Sequence, residues 1–207
     1  MPVQIHEREG KSKELLGLLD AKLGRQILSA SIDLGDAVIS IAREGMLDFF
    51  RLLKLDAELQ FSLLSDITAV DRLDETEERF EVVYHLVSLP TEHRLRIKIA
   101  VGEDSASLSS ITSLWAGANY LEREVWDMYG IAFEGHPDLR RILMYDEFKG
   151  FPLRKDYPVQ GKQPRIPLRH PEVENTARLM KRPLLVQISR KKDRSAERKH
   201  GDMTAPA

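Results

Sequence analysis

Three acidic residues lie within six positions of each other near the middle of the chain, and paired carboxylates are the usual groups of acid–base catalysis. They are Glu122, Glu124 and Asp127. At helical spacing Glu124 and Asp127 share a face, Glu122 lies to one side, and Arg123 can pair with Asp127 four residues later. Ion pairs of this kind contribute about 0.2–0.5 kcal/mol each. We therefore interpret these residues as a charged helix face, since the spacing does not indicate a catalytic cleft.

The histidines of the chain raise the possibility of a metal site. No pair of them has the spacing of a helical HExxH site, and in His136-Pro137-Asp138 the proline fixes the backbone between the two side chains. We expect His136 to order a turn. The sequence contains no cysteine, which excludes thiolate metal sites, disulfides and iron–sulfur ligation by this chain. It also lacks phosphate-loop and nucleophile-elbow patterns, so we predict no catalytic residue, bound metal or bound cofactor.

The composition is that of a soluble globular protein, with 42% hydrophobic and 31% charged residues in 207. No apolar run approaches the roughly 18 residues of a membrane span. The first residues have mixed charges and no apolar core, so we do not expect secretion.

The charge is distributed unevenly along the chain. Residues 160–207 carry twelve Lys and Arg against five Asp and Glu, while residues 1–159 carry nineteen against twenty-eight. A basic tail on an acidic body suggests docking on a nucleic acid, an anionic lipid or an acidic protein, or on the body itself. Prolines interrupt the basic residues and few aromatic residues are available to stack on bases, so we favour docking on protein.

The hydrophobic pattern predicts an α+β fold, a two-layer sandwich with helices packed on a mostly antiparallel or mixed sheet. The predicted elements are a helix capped by Ser12 and ended by Gly24, strands at 26–34 and 37–42, a helix from Met46, strands at 61–72, 79–88 and 95–101, and a third helix capped by Ser109 or Ser113. In the last strand the apolar residues alternate with polar ones, which predicts one buried and one wet face.

Prolines are concentrated after Gly130, since seven of the ten lie between Pro137 and Pro183. Proline blocks helix interiors and central strands, and so long an irregular stretch usually binds something or is disordered. We predict a globular domain at 1–129, an extended partner-binding arm at 130–188, and a disordered polar tail at 189–207. Within this plan Trp126 is either an interface anchor or part of the domain core.

The centre of the chain resembles the C subunit of proton-translocating NADH-quinone oxidoreductase, the 30 kDa subunit family of respiratory complex I. The resemblance rests on ERE at 122–124, WDMYG at 126–130, Phe133, GHPDLRRIL at 135–143 and GFPLRKDYP at 150–158. These uncommon elements occur in the family's order and spacing over about forty residues, and the body before them fits the family as well.

The resemblance implies a non-redox structural and assembly subunit of the peripheral arm, at the cytoplasmic face of the cell membrane or its matrix-side equivalent. FMN and iron–sulfur clusters would reside in partner subunits, and the neighbours would be subunits D, B and I. By motif match, the contacts to partners would come from Glu122, Arg123, Glu124, Trp126, Asp127, Tyr129, His136, Arg140, Arg141, Arg154, Lys155 and Asp156.

Three alternatives remain open at this point. One is the equivalent subunit of a membrane-bound hydrogenase or of a ferredoxin- or F420-linked complex, because the signature occurs in those relatives. The second is a nucleic-acid-binding module that uses the basic tail. The third is an independent enzyme with a carboxylate site.

Overall fold

A computed structural model describes residues 2–104, 106–160 and 163–164, with side chains from residue 8 onward. The described residues up to 163 belong to one compact unit. The helices and strands are α1 (Pro2–Leu23), β1 (Ile27–Asp33), β2 (Asp36–Ile41), α2 (Met46–Leu55), β3 (Leu63–Asp71), β4 (Phe80–Val87), β5 (Arg94–Val101), β6 (Ser107–Ser109), α3 (Ala118–Tyr129) and β7 (Ala132–Glu134).

Five strands form the main sheet, in the order β1-β2-β5-β4-β3. The β2–β5 pair is parallel and the other three pairs are antiparallel. This mixed sheet with its helices confirms the predicted α+β class. Alternation in β5 is also confirmed, because its side chains are alternately buried and partly exposed along the strand. Strands β6 and β7 form a separate parallel pair, which the sequence pattern did not predict.

The core lies between the sheet and the helices. Apolar residues of α1, α2 and α3 join the inward residues of the sheet in one cluster. An aromatic group lies at its centre: the Phe50 ring centroid is 4.8 Å from that of Tyr84 and 6.0 Å from that of Trp115. Offset and edge-on contacts of this kind add to the free energy gained from burial.

Two predicted helix starts are wrong. The first helix begins at Pro2, and Ser12 is a buried residue within it, where its hydroxyl donates to the carbonyl oxygen of Gly35 at 2.7 Å. The third helix begins at Ala118 after Gly117, which makes no side-chain capping bond. Ser109 is instead the last residue of β6, where pairing with β7 keeps the backbone in an extended conformation. Both errors arise because serine serves as a tertiary hydrogen-bond donor and as a strand residue as readily as it serves as a cap.

Truncation of Phe50 tests this view of the core. Phe50→Ala would leave a cavity among fully buried rings, so we expect it to lower the free energy of unfolding by about 3–5 kcal/mol. Leu28→Ala, at a side chain that is 71% exposed, should change it by no more than about 0.5 kcal/mol. Urea unfolding followed by circular dichroism measures both changes, and equal effects would contradict the assignment of the core.

Candidate functional site

The site is organised around the C-terminal end of α3, where the chain turns back on itself. Gly130 adopts a left-handed conformation with φ of 78°, and its N–H donates to the Trp126 carbonyl oxygen at 2.8 Å. A side chain here would collide with Phe151, whose ring carbon lies 2.5 Å from the position of a Cβ. Glycine therefore ends the helix and allows the following chain to pack closely against it.

The Asp127 carboxylate holds the following segment to this helix end. Its Oδ2 accepts the backbone N–H groups of Ile142, Leu143 and Met144 at 3.0, 2.8 and 2.8 Å. Its Oδ1 accepts the Arg141 guanidinium at 2.6 Å. One fully buried side chain thus fixes four consecutive residues of an irregular loop.

Arg141 extends this network further along the chain. Its second terminal nitrogen donates to the carbonyl oxygens of Phe148 and Gly150 at 3.1 and 3.2 Å. Its guanidinium also lies 5.9 Å from the Trp126 ring centroid and 5.7 Å from that of Phe151. Arginine suits this role because its planar group donates in several directions and stacks on aromatic faces.

The protonation state of Asp127 follows from these contacts. Burial alone raises the pKa of a carboxyl group, but the N–H groups of the loop and the Arg141 guanidinium outweigh it, and the pKa of Asp127 is below its ordinary value. The carboxylate is therefore charged at neutral pH.

Arg123 does not pair with Asp127, so the predicted ion pair along the helix is wrong. Arg123 is buried, and it donates instead to the carbonyl oxygens of Arg140 and Arg141, both at 3.1 Å. Those carbonyl groups lie immediately before the residues that Asp127 binds, so both side chains fix one loop. The interpretation of these residues as a charged helix face with ion pairs is wrong for the same reason, because Glu122 and Asp127 are buried and only Glu124 is exposed.

Glu122 is fully buried and makes a separate set of contacts near the start of α3. It accepts the Ser110 hydroxyl and the Ile111 N–H, each at 2.7 Å, and its Oε2 lies 4.0 Å from Nε2 of His136. Burial raises the pKa of Glu122 to about 7, although the two hydrogen bonds oppose the rise. Burial and, to a smaller extent, the Glu122 charge raise the pKa of Tyr84.

His136 orders a turn, as predicted. Its Nδ1 accepts the N–H of Asp138 at 3.0 Å, and its Nε2 is 3.1 Å from the carbonyl oxygen of Asn119. No group of three His, Asp or Glu side chains suited to a metal is found within the described residues. Nor does any helix of the described chain have the length and apolar character of a membrane span.

A second attachment joins residues 154–156 to the end of the sheet. The Arg79 guanidinium is buried, and it donates to both oxygens of Asp71 at 3.1 and 2.9 Å and to Asp156 at 2.8 Å. Asp71 also accepts the Lys155 N–H at 2.8 Å, while Arg154 donates to the Tyr129 carbonyl oxygen at 2.6 Å.

The pKa values at this second attachment favour the charged forms. Burial raises the pKa of Asp71, but Arg79 and two backbone N–H groups more than compensate, so the pKa lies below its ordinary value. The pKa of Arg79 is raised, first by Asp71 and then by Asp156. Sequence reasoning missed both Asp71 and Arg79. The available signal was Asp71 at an inward-facing position of a strand.

The structure divides the twelve signature residues into two sets. Most of them are buried or partly buried and bind the body of this chain. Those classed as exposed are Glu124, Arg140, Lys155 and Asp156, and the last three also form ion pairs within this chain. Trp126 is partly buried and packs against the core cluster. Whether 130–188 is a partner-binding arm stays a prediction, and both residues 165–188 and the tail at 189–207 lie outside the described residues.

These features define a class of protein: an α+β domain whose ionisable side chains fix a long irregular segment on its own surface. A family model, that of the respiratory-chain NADH dehydrogenase 30 Kd subunit, matches residues 39–163. The chain belongs to this family, which confirms the resemblance seen in the sequence.

Curated relatives carry the corresponding name. The chain is 47% identical to the NADH-quinone oxidoreductase C subunit of Geobacter sulfurreducens over 143 residues, which are 69% of this chain and 87% of the relative. It is 50% identical to the second such C subunit of Rhizobium etli over 138 residues, or 65% of this chain and 73% of the relative. Relatives of this protein are thus subunits of an oxidoreductase complex.

Two solved structures are similar. One is a trypsin-resistant fragment of Nqo5, with a TM-score of 0.54 and 36% identity, covering 60% of this chain and 98% of the fragment. The other comes from a membrane-bound sulfane sulfur reductase, an archaeal respiratory membrane complex, with a TM-score of 0.62 and 24% identity over 72% of this chain and 87% of the other. The second similarity shows the fold alone.

Replacement of Asp127 tests its role in holding the loop. Asp127→Asn removes the charge that pairs with Arg141 and binds three N–H groups, and we expect a loss of about 3 kcal/mol in the free energy of unfolding near neutral pH. Because folding lowers the pKa of Asp127, its contribution is present above the unfolded pKa and is lost as the pH falls through the folded pKa. The difference between variant and wild type should therefore shrink in acid.

Asp138→Asn is the matched control, since Asp138 is 55% exposed and pairs with Arg140. Removal of so exposed a pair should cost less than about 1 kcal/mol. Chemical denaturation at several pH values measures both variants, and equal losses would show that the Asp127 network is not the stronger attachment.

Glu122 should give the opposite pH dependence. Folding raises its pKa to about 7, so its favourable contribution is present below the unfolded pKa and is lost as the pH rises through the folded value. Glu122→Gln, which cannot ionise, should gain stability relative to the wild type between about pH 5 and about pH 8, by an amount on the order of 3 kcal/mol. Urea unfolding at both pH values checks this. A constant difference would mean that Glu122 titrates normally.

Proposed function

We propose that this chain is a non-redox structural and assembly subunit of the peripheral arm of a proton-translocating NADH-quinone oxidoreductase. The complex would transfer electrons from NADH to quinone, and this chain would shape and connect the subunits that carry them. Only the assembled complex, and not this chain by itself, would then catalyse the reaction.

The observation that carries the proposal is the use to which the site's ionisable groups are put. Asp127 accepts the N–H groups of residues 142–144 and the Arg141 guanidinium, and Arg123 donates to the carbonyl groups of residues 140 and 141. Arg79 binds Asp71 and Asp156. The hydrogen bonds of these charged groups are used in structural contacts, so these groups are poorly placed to bind a ligand during a reaction. The family relationship supports the same interpretation, because the relatives are named as one subunit of a larger oxidoreductase.

The proposed partners follow from the family. Subunits D, B and I of the complex would be the neighbours, and the chain would be one member of a hetero-oligomer. FMN and the iron–sulfur clusters would reside in partner subunits. We propose a peripheral position on the cytoplasmic face of the membrane, or its matrix-side equivalent, reached through these partners.

Two of the alternatives raised by the sequence have unequal support. The equivalent subunit of a membrane-bound hydrogenase or of a ferredoxin- or F420-linked complex is the first alternative, and the similarity to a chain of the sulfane sulfur reductase complex extends only to the fold. The 47% identity to a named NADH-quinone oxidoreductase subunit favours the first proposal over it. The nucleic-acid alternative rests on the basic residues after 160 and has no support among the described residues.

Purification of the complex from its native host tests the proposal. We expect an affinity tag on this chain to recover the other subunits of the oxidoreductase together with flavin and iron–sulfur absorbance. The chain expressed alone should show neither absorbance and should not oxidise NADH. A flavin or cluster spectrum in the isolated chain would refute the non-redox role.

A truncated chain tests the contribution of the C-terminal residues. A chain ending at Pro164 keeps the bonds between Gln163 and the Lys149 backbone, so we expect its body to unfold as the full chain does. We expect far less of the complex to be recovered with it. Full recovery would remove the C-terminal residues from the assembly role.

A further inference from the structure

Four apolar side chains remain exposed on α3 and on the segment that follows it. They are Tyr120, Ile142, Leu143 and Leu153, which are 63%, 37%, 57% and 52% exposed. We call these four residues the apolar patch. Exposed apolar side chains are common singly, but a cluster of them on one surface indicates an interaction site.

Hydrogen bonds to one helix bring the members of this patch together. The N–H groups of Ile142 and Leu143 donate to the Asp127 carboxylate, and the Leu153 N–H donates to the carbonyl oxygen of the next helix residue, Met128, at 3.2 Å. The Tyr120 ring lies 5.8 Å from the Arg123 guanidinium, which in turn binds the backbone just before Ile142. The three stretches of chain that carry the patch are therefore all attached to α3.

Two buried side chains of α3, Asp127 and Arg123, bind the backbone of this loop. Asp127 is fully buried and Arg123 nearly so, and therefore neither side chain places its charge on the surface. A surface whose backbone is already fixed loses little conformational entropy on binding, so its apolar side chains contribute more of their burial free energy to affinity. Such preorganisation is expected of a surface that binds a partner.

The rim of the patch indicates the chemistry of the partner. Glu124 is exposed on α3, one turn after Tyr120, and it forms no ion pair within the described part of the chain. A partner that covers the patch would bring this carboxylate out of water, and a Lys or Arg opposite it would compensate.

We infer that the apolar patch is a docking surface for a neighbouring subunit of the oxidoreductase, one that presents apolar side chains bordered by a basic residue. This inference rests on the proposed function and adds to it the residues that make the contact. They are aliphatic and aromatic side chains of the loop and helix, rather than the buried charges of the signature.

Single-cysteine labelling tests the inference cleanly, because the sequence contains no cysteine of its own. Leu143→Cys and Leu153→Cys are compared with Leu89→Cys, a control on the β4–β5 connection where the side chain is 65% exposed. All three thiols should react quickly with a maleimide in the isolated chain. In the assembled complex we expect the rates at 143 and 153 to fall by roughly tenfold or more, while that at 89 stays within about twofold.

The outcomes separate the inference from the function on which it rests. Failure of the wild-type chain to recover other oxidoreductase subunits would overturn the proposed function itself. Recovery of the complex with unprotected thiols at 143 and 153 would overturn only the docking surface. A thiol at 143 already protected in the isolated chain would also overturn it, since the patch would then be covered by this chain or by a second copy.

Serine substitutions supply an energetic test of the same surface. Leu143→Ser with Leu153→Ser should lower recovery of the other subunits on the order of tenfold per residue, because each removes an aliphatic side chain from the contact. Leu89→Ser should leave recovery unchanged. Thermal unfolding of the isolated variants must match the wild type, and undiminished recovery with the double variant would refute the inference.

Discussion

The path of the chain through residues 141–144 depends on one carboxylate. Asp127 lies in the last turn of α3, and it accepts three successive backbone N–H groups together with the Arg141 guanidinium. A loop without regular structure has no ladder of its own to satisfy these groups. The helix supplies the acceptor instead, and the loop then follows the surface of the domain.

A buried charge is an expensive way to hold a loop, so its geometry must compensate for the lost hydration. Replacing a buried ion pair by apolar residues is often neutral or stabilising, which means that stability alone does not explain the choice. A carboxylate with several donors does, however, specify a single arrangement of the loop. A similar arrangement is found at Arg79, just before β4. Its guanidinium binds Asp71 at the end of β3 and Asp156 in the segment after α3. Two charged centres therefore determine where the segment leaves the helix and where it reaches the sheet.

The sequence predicted the elements of the body well, because each has its own periodicity. Alternation in β5 and the apolar stripe of α2 are local signals that later packing preserved. The charges of α3 were misjudged for the converse reason. Helical spacing shows which residues share a face, but not whether a segment fifteen residues later will cover that face. Nor does it show that Arg123 binds the Arg140 and Arg141 carbonyl groups instead of Asp127, since backbone acceptors leave no mark on the sequence.

The distinction between buried charges and exposed apolar residues changes how the family signature is best understood. Uncommon charged residues in a fixed order suggest direct contact with partners, and that was the sequence-based interpretation. In the structure the acids at 122 and 127 are buried, and Arg123 and Arg141 are largely buried. Such residues fix the backbone of the surface around them. A motif of this kind specifies the position of a backbone, and the side chains that project from that backbone are the ones free to make contact.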